Sequence, residues 1–294
     1  MLRDLLVSLR PDEWTKNLFV LAPLVFGRGL GSAEERLRAL LAFLAFCLLS
    51  SSVYLLNDVR DLPYDRLHPE KRRRPIASGR IPVPAALVLS ALFVAGGLAL
   101  GFAIYRSFPA LTLLLAAYVL LNVSYSLLLK RVVLLDALSV AAGFLLRVHA
   151  GGAAIGREVS HWLSLCTLFL SLFLALAKRR AELGLLGDDS AGHRETLAHY
   201  TPAFLDQLIG WLCACTILSY AIYTVSPETL AKFGTDGLWW TVPFVVYGVG
   251  RYLFLLHRRE GGGNPTRTIV RDVPFLVNAG LWAAVAIFVI YTAR

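Results

Sequence analysis

The chain has 294 residues, 57% of them hydrophobic and only 17% charged, and its mean hydropathy is +0.63. A soluble globular domain rarely has this composition. The formal net charge of +9 would suit nucleic acid on one continuous surface, but here the cations are interleaved with long apolar runs, which excludes that class.

In chain order, apolar runs of about 20 residues, long enough to cross a bilayer, fall at 14–31, 37–57, 83–105, 108–129, 132–153, 160–178, 203–225, 237–257 and 273–292. They predict an all-α integral membrane protein, a nine-transmembrane-helix bundle forming one domain over residues 1–294. The first and fifth runs carry polar residues. The opening M-L-R-D-L-L-V-S-L-R lacks a signal-peptide layout, because Asp4 and Arg10 interrupt its apolar stretch. It suits a short amphipathic segment at the interface. Inverted repeats and interrupted helix pairs, the marks of a transporter, are not found. Cys47, Cys166, Cys213 and Cys215 all fall in apolar runs and read as small core residues.

Of the 29 lysines and arginines, 20 lie in the N-terminal segment and the even-numbered loops, and 7 lie on the opposite side. The positive-inside rule then puts the N-terminus and the even loops in the cytoplasm and the C-terminus outside. The longer polar loops, 57–82, 178–202 and 257–272, share that cytoplasmic side. A central cavity open to the cytoplasm, with these loops at its mouth, is the expected architecture in the cell (inner) membrane.

The first polar feature is R-P-D-E-W-T-K-N at 10–17, where Lys16 can snorkel or meet an anionic head group. Next comes N-D-V-R-D-L-P-Y-D, Asn57 to Asp65. If the second run continues as a helix, Asp58, Asp61 and Asp65 share one face, and Asn57 is a neighbour of Asp61. Pro63 kinks or ends that helix nearby. Carboxylates at this spacing can hold Mg²⁺, which in turn holds a diphosphate. The alternative is a solvated capping loop whose acids offset nearby arginines. Acids unpaired this close to hydrocarbon are costly, which favours a metal or ligand.

The basic run Lys71 to Arg74 follows, with Pro75 and Gly79 shaping a tight segment. It serves either as a topology anchor or as a phosphate-binding strand of chain, and Lys130-Arg131 poses the same choice. Arg147 falls deep in the fifth run, where a cation needs a partner. In K-R-R-A-E-L, Lys178 and Glu182 are helical neighbours. They form a surface ion pair, or they supply a phosphate contact and a contact to metal or sugar hydroxyls.

With N-D-x-x-D-x-x-x-D at 57–65 followed by R-P-I-A-S-G at 74–79, the chain resembles the UbiA superfamily of intramembrane prenyltransferases. That resemblance implies nine helices and a cytoplasmic site. The usual second aspartate-rich motif is absent: the later loop carries K-R-R-A-E-L and then Asp188-Asp189. Four stretches look instead like the decaprenyl-phosphate phosphoribosyltransferase branch. They are R-P-D-E-W-T-K-N at 10–17, the extended motif at 57–77, L-L-R-V-H-A-G-G at 145–152, and K-R-R-A-E-L at 178–183.

The reaction this implies is transfer of 5-phosphoribose from phosphoribosyl diphosphate (PRPP) to a polyprenyl phosphate, releasing diphosphate. The product lipid would supply arabinose for cell-wall glycans. On this reading Asn57, Asp58, Asp61 and Asp65 bind Mg²⁺ and the diphosphate. Arg66, Lys71 and Arg74 contact phosphate oxygens, and Lys178, Arg179 and Glu182 hold the ribose and its 5-phosphate. Tyr125 or Tyr200 supplies a hydroxyl, and Lys16, Lys130 and Arg147 are candidates for the acceptor phosphate. The alternative is conventional prenyl transfer from a prenyl diphosphate to an aromatic or other small acceptor. A homo-oligomer is compatible with either.

Overall fold

The computed structural model describes residues 2–68, 71–104, 110–186, 199–257 and 271–292. Asp188, Asp189, Arg258, Arg259 and Arg267, and the predicted span limits at 105 and 108, lie outside the described residues. Among those described there are helices and no strands. The α-helices are α1 (Leu2–Leu9), α2 (Ala22–Phe26), α3 (Ala33–Arg60), α4 (Leu62–Leu67), α5 (Val83–Ile104) and α6 (Ala110–Leu127). They continue as α7 (Leu135–Ile155), α8 (His161–Leu186), α9 (Pro202–Val225), α10 (Pro227–Phe233), α11 (Val242–His257) and α12 (Val273–Thr292).

Eight helices among the described residues are long and apolar enough to cross a membrane: α3, α5 to α9, α11 with its 3₁₀ lead-in, and α12. The chain is thus a multi-pass membrane protein. The predicted first span, 14–31, is not one of them. It folds as a 3₁₀ helix, Pro11–Leu21, running into the short α2. Pro23 removes a backbone donor where the two meet, and polar side chains from Glu13 to Asn17 make bonds of their own. At ~2.0 Å per 3₁₀ residue and ~1.5 Å per α residue, the stretch still reaches about 30 Å.

By contact density the chain divides into two compact units, Met1–Leu127 with Gly143–Val159, and Leu128–Ala142 with Ser160–Arg294. In the first, α3 is the central element, with 61% of its most apolar window buried. Ser32 caps its start, accepting the Glu35 N–H at 3.2 Å. Small residues let α5 approach: the Ser52 and Ser90 hydroxyls bond at 2.8 Å. Helices in lipid associate through such packing and polar contacts, since the tails are as apolar as their side chains. The core here is Phe46, Leu49, Leu111, Leu115 and Tyr118. The 3₁₀ segment lies so close to α7 that a Cβ at Gly151 would meet the Val20 carbonyl oxygen at 1.9 Å. Only glycine fits there.

In the second unit α8 packs on α9, around Phe173, Leu205, Ile209 and Tyr252. Arg180 on α8 donates to both oxygens of Asp206 on α9, at 2.8 and 3.2 Å. Asp272 caps α12 by accepting the Phe275 N–H at 2.8 Å, and Arg251 donates to it from α11. That guanidinium holds the Asp272 carboxyl below the usual carboxylate range. The α12 window is only 11% buried, so most of its apolar surface suits lipid.

Candidate active site

The first unit builds its polar centre where α3 stops. The Asp61 N–H closes the last turn on the Asn57 carbonyl at 2.8 Å, and Pro63 opens α4 directly afterwards. The break replaces the continuous helix expected through Asp65. It nevertheless leaves Asp58 and Asp65 on a common partner: Arg74 Nη1 donates to Asp58 Oδ1 at 3.1 Å and to Asp65 Oδ2 at 2.7 Å. Both carboxylates are buried, 4% and 3% exposed. Asp61 is half-buried.

Arg74 is presented by the turn that follows it. Ile76, 2% exposed, anchors that turn in a cluster with Leu55, Ile81 and Ala86. The Ser78 hydroxyl donates to the Arg74 carbonyl at 2.8 Å, and Gly79 takes the left-handed conformation, φ 77°, that closes the turn. The R-P-I-A-S-G stretch, buried from Pro75 to Ala77, is therefore a clamp for one guanidinium. A second guanidinium that sequence reasoning missed completes the cluster: Arg10 Nη2 donates to Asp58 Oδ1 at 2.5 Å. Its charge was visible in the sequence, but a separation of 48 positions gave no local signal. Arg3, Arg10, Glu13, Asp58 and Arg74 line an open cavity of about 540 Å³ within this unit.

The other predicted residues of this unit lie in varied settings. The Asn57 side-chain oxygen accepts from the Ser126 hydroxyl at 2.7 Å, and Tyr125 is half-buried one residue away on α6. Arg66 and Lys71 are exposed, Arg66 reaching the Ala77 carbonyl at 3.4 Å. Lys16 pairs with Glu13. Arg147 is 7% exposed and bonds Asn17 Oδ1 at 2.8 Å, the Gly143 carbonyl at 2.9 Å and the Tyr118 hydroxyl at 2.8 Å. The rings of Phe46, Tyr118 and Phe144 surround its guanidinium. These contacts tie the 3₁₀ segment to α6 and α7.

Among the described residues, no three or more His, Cys, Asp or Glu side chains gather as a metal cage. Mg²⁺ does not need one. It typically takes one or two carboxylates and fills its shell with water and substrate phosphate. Two buried carboxylates with hard oxygen donors, one of which, Asp58, lines the cavity, fit that pattern.

The second unit holds a separate polar network. Arg179, 3% exposed, donates from Nε to Asp136 Oδ2 at 2.7 Å, and Asp136 is fully buried. The Tyr200 hydroxyl donates to Asp136 Oδ1 at 3.0 Å and accepts the Leu134 N–H at 2.7 Å. Leu134 has φ 66°, a strained left-handed conformation this bond helps to hold. Burial pushes the Tyr200 hydroxyl up to about 12, so it stays a donor at neutral pH. Arg179 Nη1 also meets Glu182 at 3.2 Å, and Lys178 lies 4.0 Å from Glu182. Lys130 is half-buried in the turn before α7. Asp136 is the residue sequence reading overlooked, its only signal an acid at the start of an apolar run.

The model of the UbiA prenyltransferase family matches residues 20–271. A decaprenyl-phosphate phosphoribosyltransferase of Corynebacterium glutamicum is 34% identical over 97% of this chain and 86% of its own length. The enzyme of the same name from Mycolicibacterium smegmatis is 32% identical over 92% of this chain and 87% of its own. A UbiA homolog from Archaeoglobus fulgidus, solved bound to GPP and Mg²⁺, superposes with a TM-score of 0.72 at 21% identity, covering 98% of this chain and 99% of that one. That last likeness bears on the fold.

Proposed function

The chain belongs to the UbiA prenyltransferase family, and from that premise we propose that it transfers 5-phosphoribose from PRPP to a polyprenyl phosphate. Diphosphate is the leaving group. The observation that carries the reading is the 34% identity, over 97% of the chain, to a decaprenyl-phosphate phosphoribosyltransferase. The buried Asp58–Arg74–Asp65 cluster supports it chemically.

In such a transfer the anomeric C–O bond to diphosphate weakens, positive charge develops on the sugar and negative charge on the leaving group. Asp58 and Asp65, with Asp61 and Asn57, would hold Mg²⁺. That ion supplies Lewis-acid neutralisation of the departing diphosphate. Arg74, Arg66 and Lys71 face the remaining phosphate charge, an electrostatic contribution greatest in the transition state. The lipid phosphate is already ionised near neutral pH, so no strong general base is required. Positioning two mutually repelling anions is the main task.

Arg179 is engaged by Asp136 and Lys178 pairs with Glu182, so these side chains form a polar network within the second unit. Lys16, in the same unit as the acid cluster, is a candidate contact of the acceptor phosphate. Arg147, enclosed and bonded to protein atoms, acts instead as a positioning residue for the 3₁₀ segment.

The deciding experiment supplies purified protein with labelled PRPP and polyprenyl phosphate, and separately with prenyl diphosphate and an aromatic acid. A ribosylated lipid identified by mass is the expected product; prenylation of the acid alone would replace this reading with conventional prenyl transfer. The cation asymmetry also supports a cytoplasmic N-terminus and site. A cysteine replacing the exposed Arg73 should react with an impermeant maleimide only after cells are permeabilised. Labelling of intact cells would reverse the orientation.

A further inference from the structure

The cluster at the end of α3 carries more than a metal-ready acid pair. Asp58 and Asp65 bear two negative charges, and Arg10 and Arg74 bring two positive ones to them. These four side chains balance one another, with the half-buried Asp61 beside them. A divalent cation carries the same charge as the two guanidiniums together. Buried charges are tolerated only when paired, so the carboxylates can take up a metal without net change if both arginines find other anions.

The geometry of the arginines suits that role. Arg10 reaches the cluster through Nη2, and Arg74 through Nη1. Their other guanidinium nitrogens meet no acceptor among the described residues. Both residues line the open cavity together with Asp58. Arg10 sits in the left-handed region, φ 51° and ψ 62°, immediately before Pro11. This backbone is costly for a residue with a Cβ, and such strain persists where surroundings hold it. The Tyr54 ring, 4.8 Å from the guanidinium carbon, is one such support. Arg10 is therefore placed from three sides, by a strained turn, an aromatic face and a carboxylate.

We propose that Arg10 and Arg74 are resident counter-ions of Asp58 and Asp65 which turn to phosphate oxygens when a diphosphate and its metal bind. The inference rests on reading this cluster as the metal–diphosphate site. It makes the two ligands interdependent: metal alone competes with the arginines, whereas diphosphate gives the arginines somewhere to go. Arg10 then has opposite effects on the two ligands. It opposes metal alone and favours metal with diphosphate. A merely structural arginine would not divide its effects in this way.

The test measures Mn²⁺ affinity of the full chain in detergent, first alone and then with inorganic diphosphate. Arg10 is 26% exposed at its side chain, which makes its replacement compatible with folding. Arg10→Gln is expected to bind Mn²⁺ alone at least about tenfold more tightly than the unaltered protein, and diphosphate with Mn²⁺ about tenfold more weakly. Arg74→Gln, the second variant, should shift both affinities in the same directions. Arg10→Lys, which keeps the charge, should stay within about threefold of the unaltered protein for Mn²⁺ alone. Unchanged or weakened binding of Mn²⁺ alone in the glutamine variants overturns the exchange. PRPP is in neither arm, so the two ideas fail separately. Opposite shifts without ribosyl transfer would sink only the donor assignment, and transfer without the shifts only the exchange.

Discussion

Asp61→Asn is expected to lower transfer by about 10²–10³-fold while the protein still elutes as a folded species in detergent. The position is chosen for its setting. Asp58 and Asp65 are buried against guanidiniums, so neutralising either disturbs charge balance as well as chemistry. Asp61 is half-buried at the break between α3 and α4, its N–H closing α3 on the Asn57 carbonyl and its carbonyl accepting the Asp65 N–H of α4. Asparagine preserves those bonds and the side-chain shape but removes the charge that a metal-bound diphosphate requires. Raising Mg²⁺ should recover part of the lost rate if the defect is in metal binding. Near-normal turnover at ordinary Mg²⁺ would remove Asp61 from the metal site.

The second large effect is on stability. Asp136→Asn should destabilise the protein by about 3–5 kcal/mol, because it leaves the guanidinium of Arg179 buried without its main counter-charge. Asp136 is wholly buried and Arg179 nearly so, and the remaining partner, Glu182, is 3.2 Å away and partly exposed. The same change weakens the acceptor of the Tyr200 hydroxyl, on which the strained Leu134 turn leans. The melting temperature in detergent should fall by on the order of 10 °C. Pairing Asp136→Leu with Arg179→Met should restore much of that loss, since a well-packed apolar pair of similar volume substitutes for a buried ion pair. A single variant that melts with the unaltered protein would show that the pair is dispensable.

Some features were legible because their signals are local. The runs at 37–57, 203–225 and 273–292 became α3, α9 and α12 with small shifts at the ends, since twenty apolar residues in lipid leave the backbone little choice but a helix. The first run took 3₁₀ geometry over much of its length, for an equally local reason whose outcome is harder to foresee. Its proline and polar residues favour 3₁₀ geometry over an α-helix, and Arg147 reaches Asn17 from 130 positions away to hold it. The pairing of Lys178 with Glu182 followed from helical spacing alone.

The acids and cations near Asn57–Asp65 and Lys71–Arg74 could be named from order and spacing, because charged residues beside hydrocarbon are costly enough to mark themselves. Which cation meets which acid could not. Arg74 bridges Asp58 and Asp65 because Ile76 buries the turn behind it. Arg10 joins them because a left-handed residue before a proline turns the chain back toward α3. Asp136 was invisible until Arg179 and Tyr200 converged on it. Composition and spacing thus determined the membrane setting, the helical class and the position of the acid cluster, all of which depend on interactions between near neighbours or with solvent. Tertiary structure alone decided the charge pairing, because a buried ion's partner is chosen by packing between segments far apart in the chain.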